Sequence, residues 1–269
     1  MRFFLGTHKP NWLADSRFTE VPLFVSRRRL SMIRKLPRAT SSWALDSGGF
    51  TELQMFGRWE LGAREYAAEV RRFADEIGNM LWAAPQDWMC EPVVISGGGS
   101  FRGTGLSVRE HQRRTVQNLV ELRSIAPDLP FVPVLQGWTL ADYWRCEDAY
   151  RRAGVPLDQE PIVGVGTMCR RQSTISAARI LSTLAGTGIR LHGFGFKLQG
   201  LTSARGSLTS ADSMAWSYHA RRRPPMEGHD RPGGDRLKGH KNCANCADYA
   251  LEWYGRVREL LDQPHRRFL

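Results

Sequence analysis

The sequence predicts an α/β fold, a (β/α)8 TIM barrel that takes residues 1–269 as a single domain. Three observations predict it. Eight short apolar runs recur along the chain, most of them ending in a polar or glycine-bearing step. Amphipathic segments with helical spacing separate most of these runs. The last such segment lies close to the final residue, which leaves little length for a second domain.

The first run is Phe3 to Leu5, ending at Gly6-Thr7-His8, and the second is Val21 to Val25. Arg27-Arg28-Arg29-Leu30 is expected to start a helix through Lys35, stopped by Pro37. Trp43 to Asp46 is the third strand. Three apolar residues lead into a carboxylate, and the Ser47-Gly48-Gly49 turn leaves backbone free to approach a ligand. Leu61 to Ile77 reads as a helix, with Tyr66, Val70, Phe73 and Ile77 on one stripe opposite Arg64, Glu65, Arg71 and Arg72.

Met80 to Ala84 is the fourth strand, ending at Pro85-Gln86-Asp87. The glycine-rich Ser96 to Gly105 segment is expected to be a mobile loop. It has no lysine after its glycines and so is not a phosphate-binding P-loop. Ser107 to Ile125 is a helix opened by a Ser107/Glu110 capping box. Phe131 to Leu135 is the fifth strand, ending at Gln136-Gly137, and Thr139 to Ala153 is a helix closed by Gly154. Ile162 to Val165 is the sixth strand, ending at Gly166-Thr167, and the Ser173 to Leu184 helix follows. Ile189 to Phe194 runs into Gly195 as the seventh. The eighth is placed near Ser213 to Trp216, with Asp212 just before or on it, and Cys246 to Leu261 is the last helix.

The formal net charge is +11, which favours a polyanionic partner such as nucleic acid; a basic surface kept for solubility is the alternative. No run is long and apolar enough to span a bilayer, and the N-terminus is too short for a signal peptide. A soluble cytoplasmic protein with no membrane partner is therefore expected. Of five cysteines, Cys90, Cys146 and Cys169 are scattered. Cys243 and Cys246 form a C-x-x-C pair, which in a reducing compartment points to metal or redox chemistry.

In such barrels the active site sits at the C-terminal ends of the strands. Asp46, Asp87, Gln136-Gly137, Gly166, Gly195 and Asp212 all fall at these ends. Carboxylates in a partly dry pocket serve as nucleophile, general acid/base or acceptor for a base edge. The plainer alternatives are a turn-capping Asp46, a loop Asp87, a core amide at Gln136 and a helix-capping Asp212.

This set resembles the tRNA-guanine transglycosylase superfamily, and within it the DNA-directed branch, the DpdA-type 7-deazaguanine DNA transglycosylases of phages and bacterial genomic islands. Leu45-Asp46-Ser47-Gly48-Gly49-Phe50 is similar to the family's S-D-S-G-G-F block, and Leu135-Gln136-Gly137 to its V-Q-G block. His192-Gly193-Phe194-Gly195 stands where the family has a glycine-bearing strand end. Ala211-Asp212-Ser213-Met214, followed by Ala220-Arg221, is a looser match to the family's nucleophile region. Gly6-Thr7-His8 also resembles the DNA-directed branch.

The resemblance implies exchange of guanine in DNA for a 7-deazaguanine (preQ0-type) base. By it, Asp212 is the nucleophile and Asp46 the general acid/base. Asp87, Gln136, Gly137 and Gly195 hold the base edge, with Ser47, Gly48 and Phe50 beside them. Action on tRNA is the alternative, and a non-catalytic barrel subunit that binds nucleic acid is a third reading. A helper protein that opens the duplex is a possible partner.

Residues 219–246 form a basic insertion. Arg221, Arg222, Arg223 and Lys238 are expected to contact phosphates there. The same segment carries donors for a zinc ion. His240, Cys243, Cys246 and His265 have spacing suited to a closed tetrahedral Zn2+ site, with His229 a rival to His240. The resemblance also implies a structural zinc at this place, although the family's first cysteine is missing here.

Overall fold

A computed structural model describes residues 1–230 and 239–263. Eight strands, all parallel to their neighbours, build the barrel: β1 (Arg2–Thr7), β2 (Leu23–Ser26), β3 (Trp43–Asp46), β4 (Met80–Ala83), β5 (Val134–Leu135), β6 (Val163–Val165), β7 (Leu191–Gly193) and β8 (Ser210–Ser213). They hydrogen-bond in the order β4-β3-β2-β1-β8-β7-β6-β5. A parallel bridge between Ala83 and Phe131 joins the two ends, with Ala83 N–H donating to Pro130 O at 3.0 Å and Val132 N–H to Ala83 O at 3.1 Å. Closure leaves no free sheet edge.

Ten α-helices among the described residues surround the strands: α1 (Arg27–Leu30), α2 (Gly49–Phe56), α3 (Ala63–Ile77), α4 (Pro92–Ser96), α5 (Val108–Ile125), α6 (Leu140–Arg152), α7 (Ile175–Ala185), α8 (Leu198–Ala204), α9 (Ala215–Ala220) and α10 (Ala247–Asp262). Alternation divides the strand residues between two cores. Phe3, Leu5, Leu23, Val25, Trp43, Leu45, Val163, Leu191 and Ala211 face the helices. Phe4, Phe24, Ala44, Trp82, Ala84, Val132 and Ile162, with Phe194 against them, fill the barrel interior. The predicted α3 stripe of Tyr66, Val70, Phe73 and Ile77 is buried. The last helix returns to the first strand, where Trp253 and Tyr254 lie 5.9 and 6.2 Å from Phe3.

Three local expectations are corrected, and the Ser96 to Gly105 segment is seen in detail. The eighth strand is Ser210–Ser213, so Asp212 lies on it, and Ala215 and Trp216 begin α9. The helix expected through Lys35 is one turn, Arg27–Leu30; Arg27 turns inward to pair with buried Glu52 and half-buried Glu69. In the Ser96 to Gly105 segment, Gly98 and Phe101 exchange backbone hydrogen bonds at 3.0 and 3.1 Å and Phe101 is buried, while Gly98, Gly99 and Ser100 are exposed. Glycine serves close approach there, since a Cβ on Gly103 would stand 2.7 Å from Gly97 N. At α5, Ser107 Oγ accepts from Glu110 N–H at 3.2 Å, but the Glu110 carboxylate turns to Arg113 and Arg114. The complete capping box is at α6, between Thr139 and Asp142.

Candidate active site

Parallel closure brings the predicted strand ends to one mouth. Asp46 ends β3 and retains partial access. Its Oδ1 accepts the Gly48 N–H at 3.2 Å, which the left-handed Gly48 (φ 79°) turns back toward it. Burial raises the Asp46 carboxyl above its ordinary range. The Gly48 N–H and Ser26 hydroxyl oppose this, and the charge of Asp212 reinforces it.

Asp87 and Gln136 extend the site beside Ser47. Gln136 Nε2 donates to Asp87 Oδ2 at 2.5 Å, and Ser47 Oγ reaches Asp87 Oδ1 at 3.5 Å. Burial pushes the Asp87 carboxyl up to about 7, aided by the charge of Asp46 and opposed by the hydrogen bonds from Gln136 and Ser47. Gln136 Oε1 in turn accepts from Thr167 Oγ1 at 2.7 Å, so both ends of the amide are engaged. Gly166 leaves the space this amide occupies: a Cβ there would stand 2.1 Å from Gln136 Nε2. Gly137 is required by the start of α6, where a Cβ would meet Tyr143 N at 2.9 Å.

Asp212 on β8 is buried. Its Oδ1 accepts the Gly195 N–H at 3.0 Å and faces His192 Nε2 at 3.3 Å. Phe50 lies in the first turn of α2 and is 40% exposed, edge-on to Phe101 at 5.4 Å. The Arg170 guanidinium lies over both rings, at 5.2 and 4.9 Å. Trp138 and Tyr218 are the other exposed aromatics among the described residues. Arg171 covers Trp138 at 4.5 Å, and Arg222 covers Tyr218 at 3.4 Å. Arg221, Arg222 and Arg223 are exposed after α9, while Lys238 lies outside the described residues.

Three contributors escaped the sequence reasoning. Thr167, a β-branched residue held at φ 60°, is the third member of the Asp87-Gln136 network. Buried Arg27 donates to Ser47 O at 3.3 Å and pairs with Glu52 and Glu69 at 2.9 and 2.8 Å, which locks the turn after Asp46. His192 was visible only as part of a glycine-bearing strand end. A left-handed threonine and a buried arginine have no local sequence signal.

The chain matches the model of the family described as DeoxyPurine in DNA protein A (DpdA) over residues 1–266. The chain belongs to the DpdA family. DpdA is the DNA transglycosylase of the tRNA-guanine transglycosylase superfamily, so membership supports a transglycosylase function of the DNA 7-deazaguanine type, with DNA as substrate. No individual curated protein matches this DpdA-family chain.

A second cluster lies beside the barrel. His229, His240, Cys243 and Cys246 each offer one donor atom, and these atoms all lie within 4.8 Å of one another. His229 Nδ1 is 3.5 Å from Cys246 Sγ and 3.7 Å from Cys243 Sγ, and His240 Nδ1 is 3.8 Å from Cys243 Sγ. Zinc bonds of about 2.0–2.3 Å in a tetrahedron require edges of this order. The two histidines expected as rivals thus stand together, and four donors are present without His265, which lies outside the described residues. His229 Nε2 faces Asp248 at 3.7 Å, the carboxylate–histidine arrangement that orients a metal ligand. Cys246 caps α10, and Ser217 Oγ holds Ala244 O at 2.8 Å, so a bound Zn2+ would tie the segment after α9 to the last helix. Among the described residues no helix is long and apolar enough to cross a membrane.

Proposed function

We propose that this chain exchanges guanine in DNA for a 7-deazaguanine base of the preQ0 type through a covalent bond between Asp212 and C1′. The observation that carries the reading is the placement of Asp212, whose Oδ1 is held by the Gly195 N–H and His192 while Asp46 interacts with it electrostatically across the mouth. Asp212 attacks C1′ of the target nucleotide, and guanine leaves with a proton from Asp46. The incoming base returns that proton to Asp46 and displaces the Asp212 carboxylate. Two displacements at one carbon retain configuration.

Asp87 reads the base. Its carboxylate accepts from the adjacent ring and exocyclic N–H groups of a guanine-type edge, with Gln136 fixing its rotamer. Gly137 and Gly195 supply backbone along the edge, and Ser47, Gly48 and Phe50 close the side beneath Arg170. The arginine-covered Trp138 and Tyr218 support the nucleotides that flank a flipped base. Arg221, Arg222, Arg223 and Lys238 contact phosphates. A helper protein that opens the duplex is the proposed partner, since extrusion costs a few kcal/mol. The zinc is structural, and His265 is not needed to complete its shell.

The test is incorporation of labelled guanine and 7-cyano-7-deazaguanine into separate DNA and tRNA pools. Label entering DNA is expected. Label confined to tRNA would replace DNA by tRNA as the substrate, and label in neither would favour a binding subunit.

A further inference from the structure

We propose that His192 is a positioning residue that selects which oxygen of Asp212 attacks, and that Ser210 fixes the tautomer it needs. The inference rests on the base-exchange reading above and concerns the same site.

His192 lies on β7 and is 1% exposed. Its ring is walled by Phe4, Phe24, Trp82 and Phe194, with centroids 5.9, 5.8, 4.7 and 4.8 Å away. Only its nitrogens meet polar atoms: Nδ1 is 2.8 Å from Ser210 Oγ, and Nε2 is 3.3 Å from Asp212 Oδ1. Asp212 is the one charged group among these neighbours. An ionised carboxylate only accepts, so Nε2 carries a proton toward it. The Ser210 hydroxyl then donates to Nδ1, and a neutral ring satisfies both contacts. A neutral donor orients the carboxylate without setting a full positive charge against the nucleophile.

Oδ1 consequently receives two donors, Gly195 N–H and His192 Nε2–H. Oδ2 makes no hydrogen bond among the described residues and presents its lone pair to C1′. The Oδ2–C1′ bond forms as the C1′–N9 bond breaks. The electron pair leaves on the guanine, which takes its proton from Asp46. The aromatic plug beneath His192 resists rotation of the ring, so the selection persists through both displacements.

The experiment combines nitrogen NMR of labelled histidine with single-turnover formation of the protein–DNA adduct on a guanine-containing single strand. Wild type is expected to show His192 as the neutral Nε2–H tautomer at neutral pH, and Ser210→Ala to show a mixture of tautomers. His192→Phe fills the aromatic box but removes the donor. It should slow adduct formation by about 10- to 100-fold, with KM for DNA within about twofold. His192→Gln, which restores an N–H, should recover part of the rate.

An imidazolium or an Nδ1–H tautomer in wild type would overturn the proposal, and that result needs no variant to fold. Wild-type adduct formation matched by His192→Phe would overturn this role alone. No adduct in wild type would overturn the base-exchange reading together with it.

Discussion

Gln136 donates to Asp87 across 2.5 Å while accepting from Thr167, so the carboxyl group proposed to read the base is held by residues from the ends of two other strands. Burial keeps the Asp87 carboxyl half-protonated at about pH 7. A carboxylate that accepts two base N–H groups must be ionised. Binding of guanine or a 7-deazaguanine should strengthen about tenfold from about pH 6 to about pH 8 and release a proton. Calorimetry in buffers of different ionisation enthalpy measures both; pH-independent binding would refute the role of Asp87.

The same raised value has a stability sign. The folded state binds more protons than the unfolded chain between the ordinary carboxylate range and about pH 7. This carboxyl therefore costs nothing in acid, and its cost grows as pH rises through that window. Asp87→Asn should raise the melting temperature at about pH 8 and leave it unchanged near pH 4.

Asp212→Ala should abolish the proposed covalent DNA adduct, assayed on denaturing gels. Asp46→Asn should still form it, at a rate lower by about 10²–10⁴-fold, the usual range for losing a general acid. The reverse pattern would exchange their roles.

Gly166→Ala places a methyl group where the Gln136 amide now lies. Moving that amide breaks its bonds to Asp87 and Thr167, so base affinity should fall by at least tenfold. Overpacking should cost about 1–3 kcal/mol of stability. Denaturant melts and base titrations on one preparation separate the two effects.

Metal analysis should find one zinc per chain, lost in Cys243→Ser together with a lowered melting temperature. Asp248→Ala should retain zinc with affinity weakened about 10- to 100-fold, as for other carboxylates behind a histidine ligand. Retention of zinc in His229→Ala but not in a His265→Ala variant would move the fourth ligand to His265.

Much of this was legible in the chain because its signals are local. Strand length, helical stripes and the strand-terminal placing of Asp46, Asp87, Gln136 and Gly195 follow from periodicities of two and 3.6 residues. Once eight runs are in phase, barrel closure sends their ends to one mouth. The family follows from the Asp46 to Phe50 block together with the later strand ends. Tertiary structure decided what depends on partners distant in sequence. Asp212 joined β8 because Phe4 of β1 takes it as a register partner, although the local pattern suited a strand a few residues later. Gly97 and Gly103 serve a close backbone approach that no local pattern announces, whereas Gly98, Gly99 and Gly105 have open space around them. Arg27, Thr167 and His192 act through groups twenty to forty residues away or beyond, and His229 meets Cys243 and Cys246 only after the chain has turned back past α9. Hydrogen bonding and metal geometry are set by distances in space, which a linear pattern encodes only when the partners are neighbours along the chain.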